Sequence, residues 1–431
     1  MKNHLLALAF ASSTLSYNIV IADNASESQY TCWDDMSWAI NTPEVSEELG
    51  QWETYHKFLS DCEQIAGKQY CERQENWRMQ MNMYQPRSVY NYTKSGYFKT
   101  RAPAHILNLI NDFWARNRNE GVVEWADATT YHNNWAVPTY MVHMDNKSLP
   151  GGGPSLQVAI SNAAREIIEE WTGMRQAISS VYGVRIYHNQ SILAPHVDRL
   201  PLVSSCIINV DQEVEVDWPL EIYDHFGNGH NITMRPGDML FYESHSVIHG
   251  RPFPLQGNFY ANIFIHFEPF AKLNEPIATL PNRAVLPPYL IAESSWEPEW
   301  REMNPSGWDL LQNPWKLAER GDLYTLQYLL TIDPSQVHRY DAKGWQPLFF
   351  ACKQGHLEVV KFLVDNGARV NAISTTRPYR NPLMIADEYL GTDSNVSQYL
   401  RQQGARAEIK RMSENTAAAA AAYATSARSE F

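Results

Sequence analysis

A histidine followed two residues later by a carboxylate is a small local unit able to grip a metal ion. It occurs four times here, as His143-Met-Asp145, His196-Val-Asp198, His266-Phe-Glu268 and His356-Leu-Glu358. With 14 histidines in the chain such triplets arise by chance, so context has to separate them. His196-Val-Asp198 lies between two β-rich runs, Val184-Arg-Ile-Tyr187 and Ser205–Val210. Residues i and i+2 near the end of a strand point to one side, so this imidazole and carboxylate can share a cation. A histidine from a later strand would complete a two-histidine, one-carboxylate facial set. On Fe(II), that set leaves positions open for a bidentate 2-oxo acid and O2. His249 and His245 compete for the distal place, and His143-Met-Asp145 competes for the first two. No strand followed by a Pro-Gly-Asp turn comes close behind His143.

The elements that must position these residues are short and β-rich. Val181–Tyr187, Ser205–Val210, Leu220–Tyr223, Met239–Tyr242 and Phe259–Phe267 read as strands separated by Gly, Pro, Asn and Asp. One helix, Leu156–Trp171, interrupts them early, and many short strands of this kind point to a sandwich or jelly roll. Before them, residues 23–121 read as a polar, largely helical region with three cysteines, its clearest helix beginning at Ala104.

His196-Val-Asp198, Arg235-Pro-Gly-Asp238 leading to Phe241, and His249 with Gly257 eight residues on form one ordered frame. In that frame, residues 122–269 resemble the prolyl 4-hydroxylase branch of the Fe(II)/2-oxoglutarate-dependent dioxygenases. The resemblance implies a double-stranded β-helix (jelly-roll) oxygenase core with iron on His196, Asp198 and His249. It implies Fe(II), 2-oxoglutarate, O2 and ascorbate as requirements, and a protein or peptide substrate hydroxylated at proline. Gly250 after His249 and the spacing to Gly257 favour His249 over His245.

The chain departs from the family at the cosubstrate. The family's Lys or Arg, nine or ten residues after the distal histidine, is replaced by Asn258 and Phe259. Arg251 is then the candidate bidentate partner for the far carboxylate of 2-oxoglutarate. Tyr187 resembles the family tyrosine that bonds the same group, Asn258 is a third donor, and an arginine introduced at 258 is expected to tighten binding. Two readings compete with an active dioxygenase: a catalytically decayed oxygenase acting as an ankyrin-repeat binding protein, and a cupin-like protein without oxygenase chemistry.

Residues 269–314 hold eight of the 24 prolines, and 270–312 read as an extended connector packed on a neighbour. Beyond it, Gly321-Asp-Leu-Tyr-Thr-Leu-Gln-Tyr-Leu-Leu precedes Gly355-His-Leu-Glu-Val-Val-Lys-Phe-Leu-Val by 34 residues, close to the ankyrin period. Asn381-Pro-Leu-Met-Ile-Ala marks a third copy, so residues 313–407 are expected to form three stacked helix pairs that recognise a protein partner. The tail 408–431, with Ala417–Ala422, is low-complexity.

At 431 residues the chain holds two or three domains. Hydrophobic residues at 44% and charged residues at 19% exclude a wholly disordered chain. A net charge of -13 argues against nucleic acid, whose phosphates need clustered Lys and Arg. Residues 1–22 read as a signal peptide, with Lys2, the apolar Leu5–Ala11 and a small-residue end at Ala22; no later stretch is apolar enough to span a bilayer. The expected location is the endoplasmic reticulum lumen or outside the cell. There, two of Cys32, Cys62 and Cys71 could pair, Cys62 with Cys71 closing the shortest loop, while Cys206 and Cys352 read as buried thiols.

Overall fold

The structure is a computed structural model and describes residues 51–124, 137–274, 286–304 and 313–407. The signal peptide, Cys32 and the alanine-rich tail lie outside the described residues. Among the described residues two helices come first, α1 (Gln51–Ala66) and α2 (Lys68–Tyr84), closed into a hairpin by a Cys62–Cys71 disulfide. Cys206 and Cys352 are buried free thiols.

Two antiparallel sheets follow. The larger holds β1 (Tyr97–Arg101), β2 (Val122–Val123), β3 (Tyr140–His143), β4 (Met174–His188), β6 (Ser204–Val214), β9 (Asp238–Tyr242) and β11 (Gly257–Lys272). The smaller holds β5 (Leu193–His196), β7 (Leu220–Tyr223), β8 (Gly229–Ile232) and β10 (His249–Arg251), in the order β5-β10-β7-β8.

Period-two alternation builds the layers. Along β11, Ala261, Ile263, Ile265 and Phe267 turn to one face and pack under α3 (Ala104–Asn117) and α4 (Pro154–Thr172), through Ile106, Ile110, Ile160 and Ile168. The alternate residues Tyr260, Phe264 and His266 turn inward, toward the smaller sheet. Ile207 and Leu240 of the large sheet meet Leu220 and Ile222 of the small one, so the sheets pack face to face.

Two expectations change. The region before residue 122 is not only helical, because Tyr97–Arg101 pairs with β9 and forms an edge of the larger sheet. Its residues Lys99 and Arg101 bind Asp238, the acid of the Pro-Gly-Asp turn. The connector is partly core. β11 runs on to Lys272, and Tyr289, Leu290, Trp296 and Trp300 are all buried, with Leu290 bridging to Val89.

The C-terminal helices come in three pairs: α6 (Pro314–Arg320) with α7 (Leu323–Ile332), α8 (Pro347–Gln354) with α9 (Leu357–Asp365), and α10 (Pro382–Leu390) with α11 (Asn395–Gln402); a seven-residue helix, α5 (Glu297–Met303), precedes them. Each first helix opens on a proline at N1, where its fixed φ is helical and its missing N–H costs nothing. Leu329, Leu348, Ala351, Val360 and Leu363 are fully buried between the pairs. No helix among the described residues is long and apolar enough to cross a membrane.

Candidate metal centre

β5 and β10 are neighbours, and their register sets His249 opposite His196. The ring centroids lie 4.5 Å apart. A Cβ at Gly250 would stand 2.8 Å from the Leu193 carbonyl and the Pro195 backbone, so glycine is what lets β10 close on β5 here. Gly257 serves the start of β11 similarly: its φ is +141°, and a Cβ would meet the Val214 backbone at 2.5 Å.

His196 Nδ1 lies 2.7 Å from the Ala194 carbonyl and His249 Nδ1 lies 2.9 Å from the Val247 carbonyl. A carbonyl can only accept, so each Nδ1 carries the proton and each Nε2 keeps its lone pair free for a cation. Asp198, just past the end of β5, puts one carboxylate oxygen 3.6 Å from His196 Nε2 and 3.9 Å from His249 Nε2. One ligand atom from each of the three residues lies within 4.8 Å of the other two, a group that could hold a metal ion.

The electrostatics favour a neutral His249 beside an ionised Asp198. Burial and the neighbouring His196 push the His249 imidazole down to about 3, against a partial pull upward from Asp198. Burial alone would raise the Asp198 carboxyl. The neighbouring His196, His249 and His266 rings outweigh it and hold the group well below the usual carboxylate range. These are the protonation states that metal ligands need.

The competing histidines stand elsewhere. His245 is buried but donates Nε2 to the Tyr90 carbonyl at 3.1 Å and lies alongside Tyr92. His143 and Asp145 are exposed at the end of β3. His225 and His230 are tied to Glu243 and Asp224.

Next to His249 on β10 lies an aromatic and cationic cluster. Arg251, two residues beyond His249, is fully buried, with its guanidinium 4.7 Å from the Trp218 ring centre and 4.9 Å from that of Tyr260. Its Nε donates to the Trp218 carbonyl at 3.3 Å. Both terminal nitrogens are buried without a hydrogen-bond partner among the described residues, as are the hydroxyls of Tyr187 and Tyr260. Tyr187 stands edge-on to Trp218 at 5.1 Å, and Trp218 edge-on to Tyr260 at 5.4 Å. A guanidinium and two phenols without acceptors match what the acid end of a dicarboxylate requires, so these residues fit 2-oxoglutarate.

Asn258 does not join them. The register of β11 against β6 shifts between Gly257 and Phe259, and Asn258 is exposed at the rim, where it donates to Glu213 at 2.8 Å. The expectation that Asn258 helps hold the cosubstrate is therefore corrected, and with it the expected gain from an arginine there.

Four residues of the site escaped the sequence reading. Trp218 and Tyr260 flank Arg251. His266 faces the second oxygen of Asp198 at 3.6 Å and is held by Ser205 at 2.7 Å. Arg185 lines the same cleft, paired bidentately with Glu124. The signal for His266 and Tyr260 was the alternation along β11, which turns them to the same face as Phe264.

Residues 315–423 match the family described as ankyrin repeats (3 copies), so the C-terminal part of the chain carries ankyrin repeats. The NAD-capped RNA hydrolases NUDT12 of Macaca fascicularis, Pongo abelii and Homo sapiens are 32% identical over 60 residues, 14% of this chain and 13% of each of theirs. The chain thus spans about an eighth of the length of these curated relatives. A crystal structure of a Pseudomonas putida prolyl-4-hydroxylase aligns over 41% of this chain and 93% of that one, with 14% identity and a TM-score of 0.31. That likeness is too loose to bear on the fold, which rests on the sheets themselves.

Proposed function

We propose that this protein is an Fe(II)- and 2-oxoglutarate-dependent dioxygenase of the prolyl 4-hydroxylase type. In this reading its two sheets form a double-stranded β-helix, its substrate is a protein or peptide modified at proline, and its ankyrin repeats recognise a protein partner. The observation that carries the reading is the convergence of two proton-free Nε2 atoms and one ionised carboxylate at the open end of two facing sheets.

His196, Asp198 and His249 would hold the iron, each imidazole oriented by a backbone carbonyl so that no ring rotation is needed. Arg251, Tyr187 and Tyr260 would hold the far carboxylate of 2-oxoglutarate. Arg251 and His249 share a strand two residues apart, roughly 6.6 Å, a span that suits the two ends of one small dicarboxylate. Leu193, Ile207, Leu220 and Phe264 line the cleft with apolar surface and limit water around the reacting groups. When bound, iron and 2-oxoglutarate would supply the chemistry, in which O2 would convert the 2-oxo acid to succinate and CO2 and place one oxygen atom into a substrate C–H bond, with ascorbate to keep the iron ferrous. An oxidising compartment, the endoplasmic reticulum lumen or outside the cell, is supported by the Cys62–Cys71 disulfide.

The test is succinate release from 2-oxoglutarate by the full chain with Fe(II), ascorbate and a proline-rich peptide library, with mass spectrometry of the peptides. Succinate coupled to one added oxygen atom on a peptide is the expected result. Metal binding without any turnover would overturn it in favour of a decayed oxygenase that works as an ankyrin-repeat binding protein. Turnover without O2 would favour cupin-like chemistry.

A further inference from the structure

β5 carries the first ligand but is an edge strand of its sheet: β10 covers one side, and among the described residues no strand covers the other. The backbone groups on that outer side still need partners. Helix α2 supplies them through side chains. Arg78, Asn82 and Gln85 recur at a spacing of four and then three residues, one face of a helix. Arg78 Nη1 and Asn82 Nδ2 both donate to the Pro195 carbonyl, at 2.6 and 3.0 Å. Asn82 Oδ1 accepts from Val197 N at 2.9 Å. Gln85 Nε2 donates to the carbonyls of Asp198 and His245, at 2.7 and 2.8 Å. The peptide groups flanking His196 and the one after Asp198 are thus held from α2 and its C-cap residue, Gln85.

The grip is itself fixed. Arg78 is buried against Glu75, its Nε donating at 2.9 Å, and Glu75 also accepts from the Tyr55 hydroxyl of α1 at 2.7 Å. Tyr55, Phe58, Cys62 and Cys71 pack together with Ala194 of β5, so the disulfide-closed end of the hairpin sits on the ligand strand too. Two helices, one disulfide and a buried Tyr55–Glu75–Arg78 chain therefore converge on four residues, 195–198.

From this we infer that the α1–α2 hairpin is a clamp that sets the spacing of the metal ligands, with Arg78, Asn82 and Gln85 as its positioning residues. The inference rests on the reading that His196, Asp198 and His249 bind a divalent cation. None of the three clamp side chains touches that site. They act by denying the 195–198 backbone the freedom an edge strand would otherwise have.

Gln85→Glu is the sharpest test, because it keeps the shape of the side chain and removes both donors. The full chain is titrated with Co(II), followed by its visible absorption, and amide exchange of residues 195–199 is measured without metal. A Co(II) affinity about tenfold or more weaker is expected, with altered Co(II) bands and faster exchange at Val197 and Asp198. Asn82→Ala should do the same at Val197, and it keeps the test decisive if Gln85→Glu folds poorly. An exposed control, Lys361→Ala, should change neither readout. A purely structural role would lower the melting temperature while leaving the affinity and bands of the folded protein unchanged. Affinity within twofold together with unchanged exchange overturns the clamp. If the unmutated chain binds no Co(II), the metal reading fails, and the exchange measurement alone decides the clamp.

Discussion

Arg251 offers the most demanding test of the proposed cosubstrate site. Its guanidinium lies in a fully buried place with no acidic partner, steadied by the faces of Trp218 and Tyr260 and by one bond to the Trp218 carbonyl. Taking such an ion out of water costs several kcal/mol, which a bound carboxylate would recover. Two charge-assisted hydrogen bonds from its terminal nitrogens contribute about 1.5–3 kcal/mol each, or roughly 3–6 kcal/mol together. At about 1.4 kcal/mol per decade, Arg251→Met should weaken 2-oxoglutarate binding roughly 100-fold or more.

The unliganded protein should respond differently. Methionine fills similar space and removes a buried charge, so the melting temperature without 2-oxoglutarate should stay close to that of the unmutated chain. Calorimetric titration with 2-oxoglutarate, alongside thermal denaturation with and without it, reads both effects. Arg251→Lys, a point charge in place of a fork, should fall between the two. Asn258→Arg should leave binding unchanged, since that position faces solvent beside Glu213. Binding within threefold of the original in Arg251→Met would refute the assignment, and loss of binding accompanied by unfolding would show that Arg251 is a core residue instead.

Asp198→Ala should abolish Co(II) binding while leaving the circular dichroism spectrum intact, because the carboxylate lines a cleft and fills no core position. Asp322→Ala should destabilise the whole chain by about 3–5 kcal/mol in denaturant unfolding, since it strands a buried Arg165 and uncaps α7. Glu243 is fully buried; burial raises its carboxyl, but the His225 hydrogen bond and the field of His245 outweigh this and lower it below its usual 4.5. Its stabilising effect is therefore complete above that value and lost as pH falls through the lowered one. Stability measured from pH 7 downward should drop in this window, and less steeply in Glu243→Gln.

Much of the architecture was legible because it repeats. The 34-residue offset between Gly321 and Gly355 marked the helix pairs, and the alternation along Phe259–Phe267 marked β11. The grouping of His196, Asp198 and His249 was readable because two sit in one triplet and the third carries its glycine with it. What stayed hidden depends on long-range register. Trp218 and Tyr260 come from the approach to β7 and from β11, and only the facing of two sheets brings them onto Arg251 of β10. Asn258 pointed the wrong way because a register shift at the start of β11 cannot be seen in composition. Arg78, Asn82 and Gln85 look like a solvated helix face until β5 is found at a sheet edge.

The ankyrin repeats are joined to the sheets by more than a linker. Asp322 is fully buried at the N-terminus of α7, where it accepts from Thr325 N, from the Ile178 backbone of β4 at 3.0 Å and from Arg165 of α4 at 2.8 Å. Arg320 donates to the Ile178 carbonyl, and Arg175 donates to the Tyr324 hydroxyl. A single hydrophobic cluster runs from Val89, Ala177, Val203 and Phe270 through Tyr289 and Trp300 to Leu317, Leu326 and Leu348. Domains joined by a small polar interface move relative to one another by default, whereas a buried ion pair inside a continuous apolar contact opposes that motion. A protein held on the outer repeats would therefore meet the cleft at a fixed distance and angle. In the proposed function, selectivity among proline-containing segments would then depend on where the partner is gripped as well as on what the cleft accepts.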